Sequence, residues 1–118
     1  MIEDPVVWRK REYNRIADFI VNCTMDCRED LHEDCEPPLQ YDRQRVNYIC
    51  HSDGGTRAEN CSAAAWYLEA VVTTDKAGAI TFPVAMRGLF LENPVSPFMA
   101  EALALEDGLA YLAKFTLE

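Results

Sequence analysis

The stretch CHSDGGTRAENCSAAAWYLEA, Cys50 to Ala70, sets an aspartate and two glycines between two apolar runs, VNYIC before it and AAAWYLEAVV after it. Asp-Gly between apolar segments is first of all a hairpin signal, so the plain reading of Asp53 is a turn residue that lets one strand end and the next begin. A carboxylate at the end of a strand is also a place where chemistry is done, and the rest of the chain bears on which reading holds.

Outward from this stretch, RVNYICHS alternates Val46, Tyr48 and Cys50 with Asn47, Ile49 and His51. With apolar residues in both sets, it suits a largely buried central strand over about 45–52. A second strand is expected over 62–73, a turn at TTDKAG, and a third strand over 79–92, in which Pro83 marks an edge position or a bulge because proline has no N–H for a ladder. Further on, Ser96 is a good N-cap and Pro97 stands at the first helical position, where its missing N–H costs nothing. Phe98, Ala102, Leu105, Leu109 and Leu112 form one apolar stripe, expected to pack on the sheet through its three leucines. Glu101 lies to one side of that stripe and Glu106 to the other, with Asp107 opposite, and periodicity does not choose between the two glutamates.

Toward the N-terminus, VVW at 6–8 is a short strand candidate. A helix is expected over 13–26, with Ile16, Phe19, Ile20 and Cys23 at the spacing of an amphipathic face. Residues 27–44, acidic, without periodicity and carrying Pro37-Pro38, read as a connector. The expected division is therefore a strand and helix over 1–26, a linker over 27–44 and a core over 45–118.

The chain has 118 residues, enough for one core, with 11 Lys and Arg against 20 Asp and Glu and a formal charge of −9. That sign opposes non-specific attraction to phosphate backbones, so a nucleic-acid role must rest on a local patch or on metal ions. Five cysteines, an odd number, argue for reduced thiols, and MIEDPVVWRKREYN has no apolar core of a signal peptide, so a cytoplasmic or nuclear setting is expected. Cys23, Cys27 and Cys35 with His32 suggest zinc only weakly, because no paired second knuckle flanks them. Trp66 and Tyr67 are most simply strand packing.

A strand ending in DGG, a small-residue-rich second strand AAAW, a third strand and a helix opening MAEALALEDGLAYLAKF together resemble the first half of a ribonuclease H domain of the reverse-transcriptase-associated type found in plant and retroelement proteins. The fold implied is α/β and ribonuclease H-like, with three antiparallel strands and flanking helices. In that family the first-strand aspartate and a glutamate of the first helix are metal ligands, which the resemblance carries to Asp53 and Glu101. VVWRKREYNRIADFIVN resembles the end of such a domain, making Asp18 the last metal-binding carboxylate and Asn14 a nearby polar residue. The tail motif thus precedes the head motif, as in a chain that is circularly permuted, fused or incomplete.

The resemblance implies metal-dependent hydrolysis of RNA in an RNA-DNA hybrid. Asp53, Glu101 and Asp18 would hold Mg²⁺ or Mn²⁺, and Asn14, Gly54, Gly55, Thr56 and Arg57 would line the substrate path. Two-metal hydrolysis asks for oxygen ligands from separate elements, which strand ends and helix faces can bring together. The family's further aspartate, after a fourth strand, has no counterpart before the chain stops at KFTLE. The other expectation is therefore a catalytically inactive remnant that serves as a binding or dimerisation module, as a homodimer or beside an adjoining reverse-transcriptase domain.

Overall fold

The computed structural model describes residues 14–35, 46–58, 60–75 and 78–116. In chain order they form α1 (Arg15–Cys27), β1 (Leu31–Asp34), β2 (Val46–Arg57), β3 (Cys61–Thr74), β4 (Gly78–Leu91) and α2 (Pro97–Thr116). The four strands make one sheet in the order β1-β4-β3-β2, and each described pairing is antiparallel. The chain is therefore α/β, with both helices packed on a single sheet. The expected VVW strand lies outside the described residues.

Two adjacent glycines of β2 locate the layers. A Cβ on Gly54 would meet the backbone of Ala100 and Glu101 in α2, whereas one on Gly55 would meet the side chains of Val21 and Met25 in α1. Neighbouring residues of a strand point to opposite faces, so α1 and α2 cover opposite faces of the sheet. The same alternation runs along β3. Cys61, Ala63, Ala65 and Tyr67 pack with Ile20, Val21 and Met25 of α1, and Trp66, Leu68 and Ala70 join the cluster on the α2 side with Val84 and Ala85. The first eight residues of β3 are all buried.

β3 and β4 are thus the inner strands and β3 the most deeply buried, a place the sequence pattern assigned to the stretch beginning at Val46. β2 instead pairs only with β3 among the described residues, and its Asn47 and Ile49 are exposed. Nor does Asp53-Gly54-Gly55 turn the chain. Those residues pair with Ala65, Ala64 and Ala63 inside the ladder, β2 runs on to Arg57, and the reversal into β3 is marked by the Asn60 N–H donating to the Arg57 carbonyl at 3.0 Å. The glycines serve close approach of two helices, one on each face, rather than a bend.

Pro83 does mark a bulge. Leu68 pairs with Ala85 and Glu69 with Pro83, which leaves Val84 as the extra residue of β4. Part of the expected connector is also a strand: β1 pairs Leu31 to Asp34 with Gly88 to Ala85, and the Cys35 N–H extends the contact to the Val84 carbonyl at 2.8 Å. Its residues, LHED, carry little apolar pattern because an edge strand is held by its backbone ladder.

Both helices bury a different stripe from the expected one. α1 buries Ala17, Ile20, Val21, Thr24 and Met25, while Ile16 and Phe19 are exposed. Thr24 turns its hydroxyl back to the Ile20 carbonyl at 2.7 Å and sits directly over Gly88 of β4. α2 faces the sheet with Ala100, Ala104 and Gly108, all buried. Of the three leucines expected to pack there, only Leu112 joins the core cluster; Leu105 is half-buried and Leu109 is 43% exposed. Ser96 caps α2 as the sequence indicates, its Oγ accepting the Met99 N–H at 3.1 Å.

Candidate functional site

The expected site residues collect where the second half of β2 passes beneath the first turns of both helices. Asn14, immediately before α1, leaves the helix end uncapped by its side chain and donates its Nδ2 hydrogen to the Ser52 carbonyl instead. This fixes the start of α1 to β2 and places Asp18, half-buried, in the helix's first turn. On the other face, Glu101 begins its backbone directly over Gly54 and is exposed. Asp53 shares its face with Gly55, by the alternation of the strand, and so lies on the α1 side. Asp18 and Asp53 therefore belong to one face of β2, and Glu101 to the helix on the opposite face.

The other four expected substrate residues also have structural roles. Thr56 Oγ1 donates to the Val95 carbonyl at 2.6 Å and lies 2.8 Å from Ser62 Oγ, which accepts the Val95 N–H at 2.8 Å. The two hydroxyls clamp the segment leading into α2. Arg57 Nη1 pairs with Asp26 Oδ1 at 2.7 Å, tying the end of β2 to the last turns of α1. Gly54 provides the gap that lets α2 rest on the strand, and Gly55 does the same for α1.

Among the described residues no three His, Cys, Asp or Glu side chains stand close enough together to hold a metal ion. Asp53 and Asp18 lie on the α1 side of β2 and Glu101 starts over Gly54 on the other side, and among the described residues neither these three nor Cys23, Cys27, Cys35 and His32 are gathered into such a group. All five cysteines are free thiols, with burial, aided by Asp107, pushing Cys50 up to about 11.

The densest polar arrangement lies elsewhere and joins four elements. Trp66 is fully buried in β3, and its indole N–H donates to Asp107 Oδ2 at 2.6 Å. Arg87 of β4 donates from Nη1 to both Asp107 oxygens at 3.2 Å, with its guanidinium 5.9 Å from the Trp66 ring centre. Its Nε–H points at His32 Nδ1, 3.2 Å away, and His32 Nε2 lies 3.0 Å from Asp34 Oδ2. Because Arg can only donate, Nδ1 must accept, which puts the imidazole proton on Nε2 and directs it to Asp34. Tyr111 closes the chain by donating its hydroxyl to Asp34 Oδ1 at 2.5 Å.

Two ionisable groups register this chain. The hydrogen bonds from Tyr111 and then His32 hold the Asp34 carboxyl below its usual range. Burial, and after it the bond to Asp34, pushes Tyr111 up to about 12. Sequence reasoning had Trp66 as packing and Asp107 opposite the leucine stripe; since that stripe faces outward, Asp107 faces the sheet, and this was the available signal. His32, Asp34 and Arg87 gave none, because their meeting depends on β1 joining β4.

None of the described helices is long and apolar enough to cross a membrane. Comparison with known proteins finds no family model that matches this chain, no similar curated protein and no similar solved structure.

Proposed function

We propose that the chain is a ribonuclease H-like module of retroelement origin that engages RNA-DNA hybrid at the end of β2 and cuts it only when further carboxylates complete the site. One observation carries this reading: three consecutive antiparallel strands lead into a helix whose first turn rests on Gly54, next to Asp53. That is the arrangement the resemblance implies for the two leading carboxylates, Asp53 and Glu101. Asp18, on the same face as Asp53, supports the tail-before-head order. In the isolated chain Asp53 is the residue on which any activity depends.

The test incubates the purified chain with labelled RNA-DNA hybrid in Mg²⁺ or Mn²⁺, alongside Asp53→Asn, which removes the charge and nearly keeps the shape. Hybrid binding in metal that weakens in Asp53→Asn, with cutting slow at most, is the expected result. Robust cutting that survives Asp53→Asn, with circular dichroism unchanged, overturns the mechanism. Absence of both binding and cutting leaves a second reading, a non-cleaving interaction module, which the outward apolar residues of α2 favour.

A further inference from the structure

The outer face of α2 carries large apolar side chains in an ordered pattern. Phe98 is 80% exposed, Leu109 is 43% exposed, Ala102 is exposed and Leu105 is half-buried. Their successive spacings of four, three and four residues are those of the a and d positions of a heptad. They line one side of a helix whose sheet-facing side is already filled by Ala100, Ala104 and Gly108. Along the first three turns of α2 the sheet takes small side chains and leaves Phe98 and Leu109 outside, and only toward its end do the larger Tyr111 and Leu112 pack on the core.

Charge says what covers them. At about 100° per residue, Glu101 lies roughly 70° to one side of the stripe and Glu106 roughly 70° to the other. Both are exposed. An apolar seam with an acidic residue on each flank complements a helix whose own apolar stripe is flanked by Lys or Arg. A strand does not fit, because its side chains repeat every two residues rather than every three or four. A second copy fits poorly: antiparallel pairing that matches Phe98 with Leu109 sets Glu101 against the other copy's Glu106, and each chain carries −9.

We infer that the outer face of α2 is a docking surface for a basic amphipathic helix of a partner protein, seated on Phe98, Ala102, Leu105 and Leu109 between Glu101 and Glu106. The inference rests on the interaction-module reading, and its test reads Leu109 and Glu106, which the proposed metal site does not use, so peptide binding and hybrid cutting are scored separately.

Two heptad peptides of about three heptads, with leucine at a and d, test it by fluorescence anisotropy against the full chain. One carries lysine at e and g, the other glutamate. The lysine peptide is expected to bind saturably and less tightly as salt rises, and the glutamate peptide at least about tenfold more weakly. Glu106→Lys should narrow or reverse that preference. Leu109→Glu, at an exposed position where folding is spared, should abolish binding while the thermal melt stays in place. Equal binding of the two peptides, or lysine-peptide binding unchanged by Leu109→Glu, overturns the proposal. So does sedimentation showing a homodimer that Leu109→Glu dissociates, since the seam would then belong to a second copy. Hybrid cutting bears only on the function proposed above and leaves this test intact.

Discussion

A methyl group at position 54 has nowhere to go. Its Cβ would stand 2.4 Å from the Ala100 carbonyl carbon and 2.4 Å from the Glu101 nitrogen, both backbone atoms of a helix. At position 55 the nearest atom is a Val21 methyl at 2.9 Å, which a side-chain adjustment can partly relieve. Gly54→Ala is therefore expected to cost about 3 kcal/mol or more, at or beyond the upper end for overpacking, and Gly55→Ala about 1–2 kcal/mol. Urea unfolding of the two variants checks the order, and equal costs would mean that α2 does not rest on β2 as described. The same residues show what the sequence carried at this scale. Asp53-Gly54-Gly55 stood out, and of its open readings the plain turn does not hold, because glycine signals a turn and close approach equally. The decision lay with Ala100, 46 positions further along.

Among the elements, α2 is where pattern and packing part. The helix is apolar around most of its circumference, so periodicity finds two stripes, one of Ala100, Ala104 and Gly108 and one of Phe98, Ala102, Leu105 and Leu109. Hydrophobicity alone favours the second. Size chooses the first, because the sheet surface beneath already holds Trp66, and a Cβ on Gly108 would meet that side chain at 3.1 Å and Cys50 Sγ at 2.7 Å. Leu109→Ala should accordingly cost less than about 1 kcal/mol, far below the 2–5 kcal/mol of a buried leucine, whereas Ala104→Leu should cost about 1–3 kcal/mol. Chemical denaturation of both variants tests this, and a large loss in Leu109→Ala would put the leucines back against the sheet. β3 and β4 were legible to within one residue at each end and β2 except for its last five residues, as were the bulge beside Pro83 and the cap at Ser96. β1 was not, because its stabilisation comes from backbone pairing with β4 and from side chains that meet only after folding.

For the whole molecule, the chain of bonds from Trp66 through Asp107, Arg87, His32 and Asp34 to Tyr111 joins β1 to α2 across the sheet. It predicts a definite pH response. Tyr111 is pushed from 10.0 up to about 12, first by burial and then by its bond to Asp34, so its neutral form is favoured in the fold. That contribution to stability is fully present below 10.0 and is lost as pH rises toward about 12. Asp34 moves the other way. Held below 3.8 chiefly by the Tyr111 hydroxyl, it contributes above 3.8 and loses that contribution as pH falls through its lower folded value. Tyr111→Phe removes the shared hydrogen bond and should cost up to about 1 kcal/mol at neutral pH, modest because Asp34 is solvent-exposed. Tyr67 is also raised, by burial first, so the bulk alkaline titration mixes several phenols. Subtracting the tyrosinate absorbance of Tyr111→Phe from that of the parent chain isolates one. The difference should titrate near 12 and shift downward in Asp34→Asn, because the partner charge that disfavours a phenolate is then gone. A difference curve centred near 10 in the parent chain would mean that Tyr111 does not donate to Asp34, and that β1 is not tied to α2 through this bond.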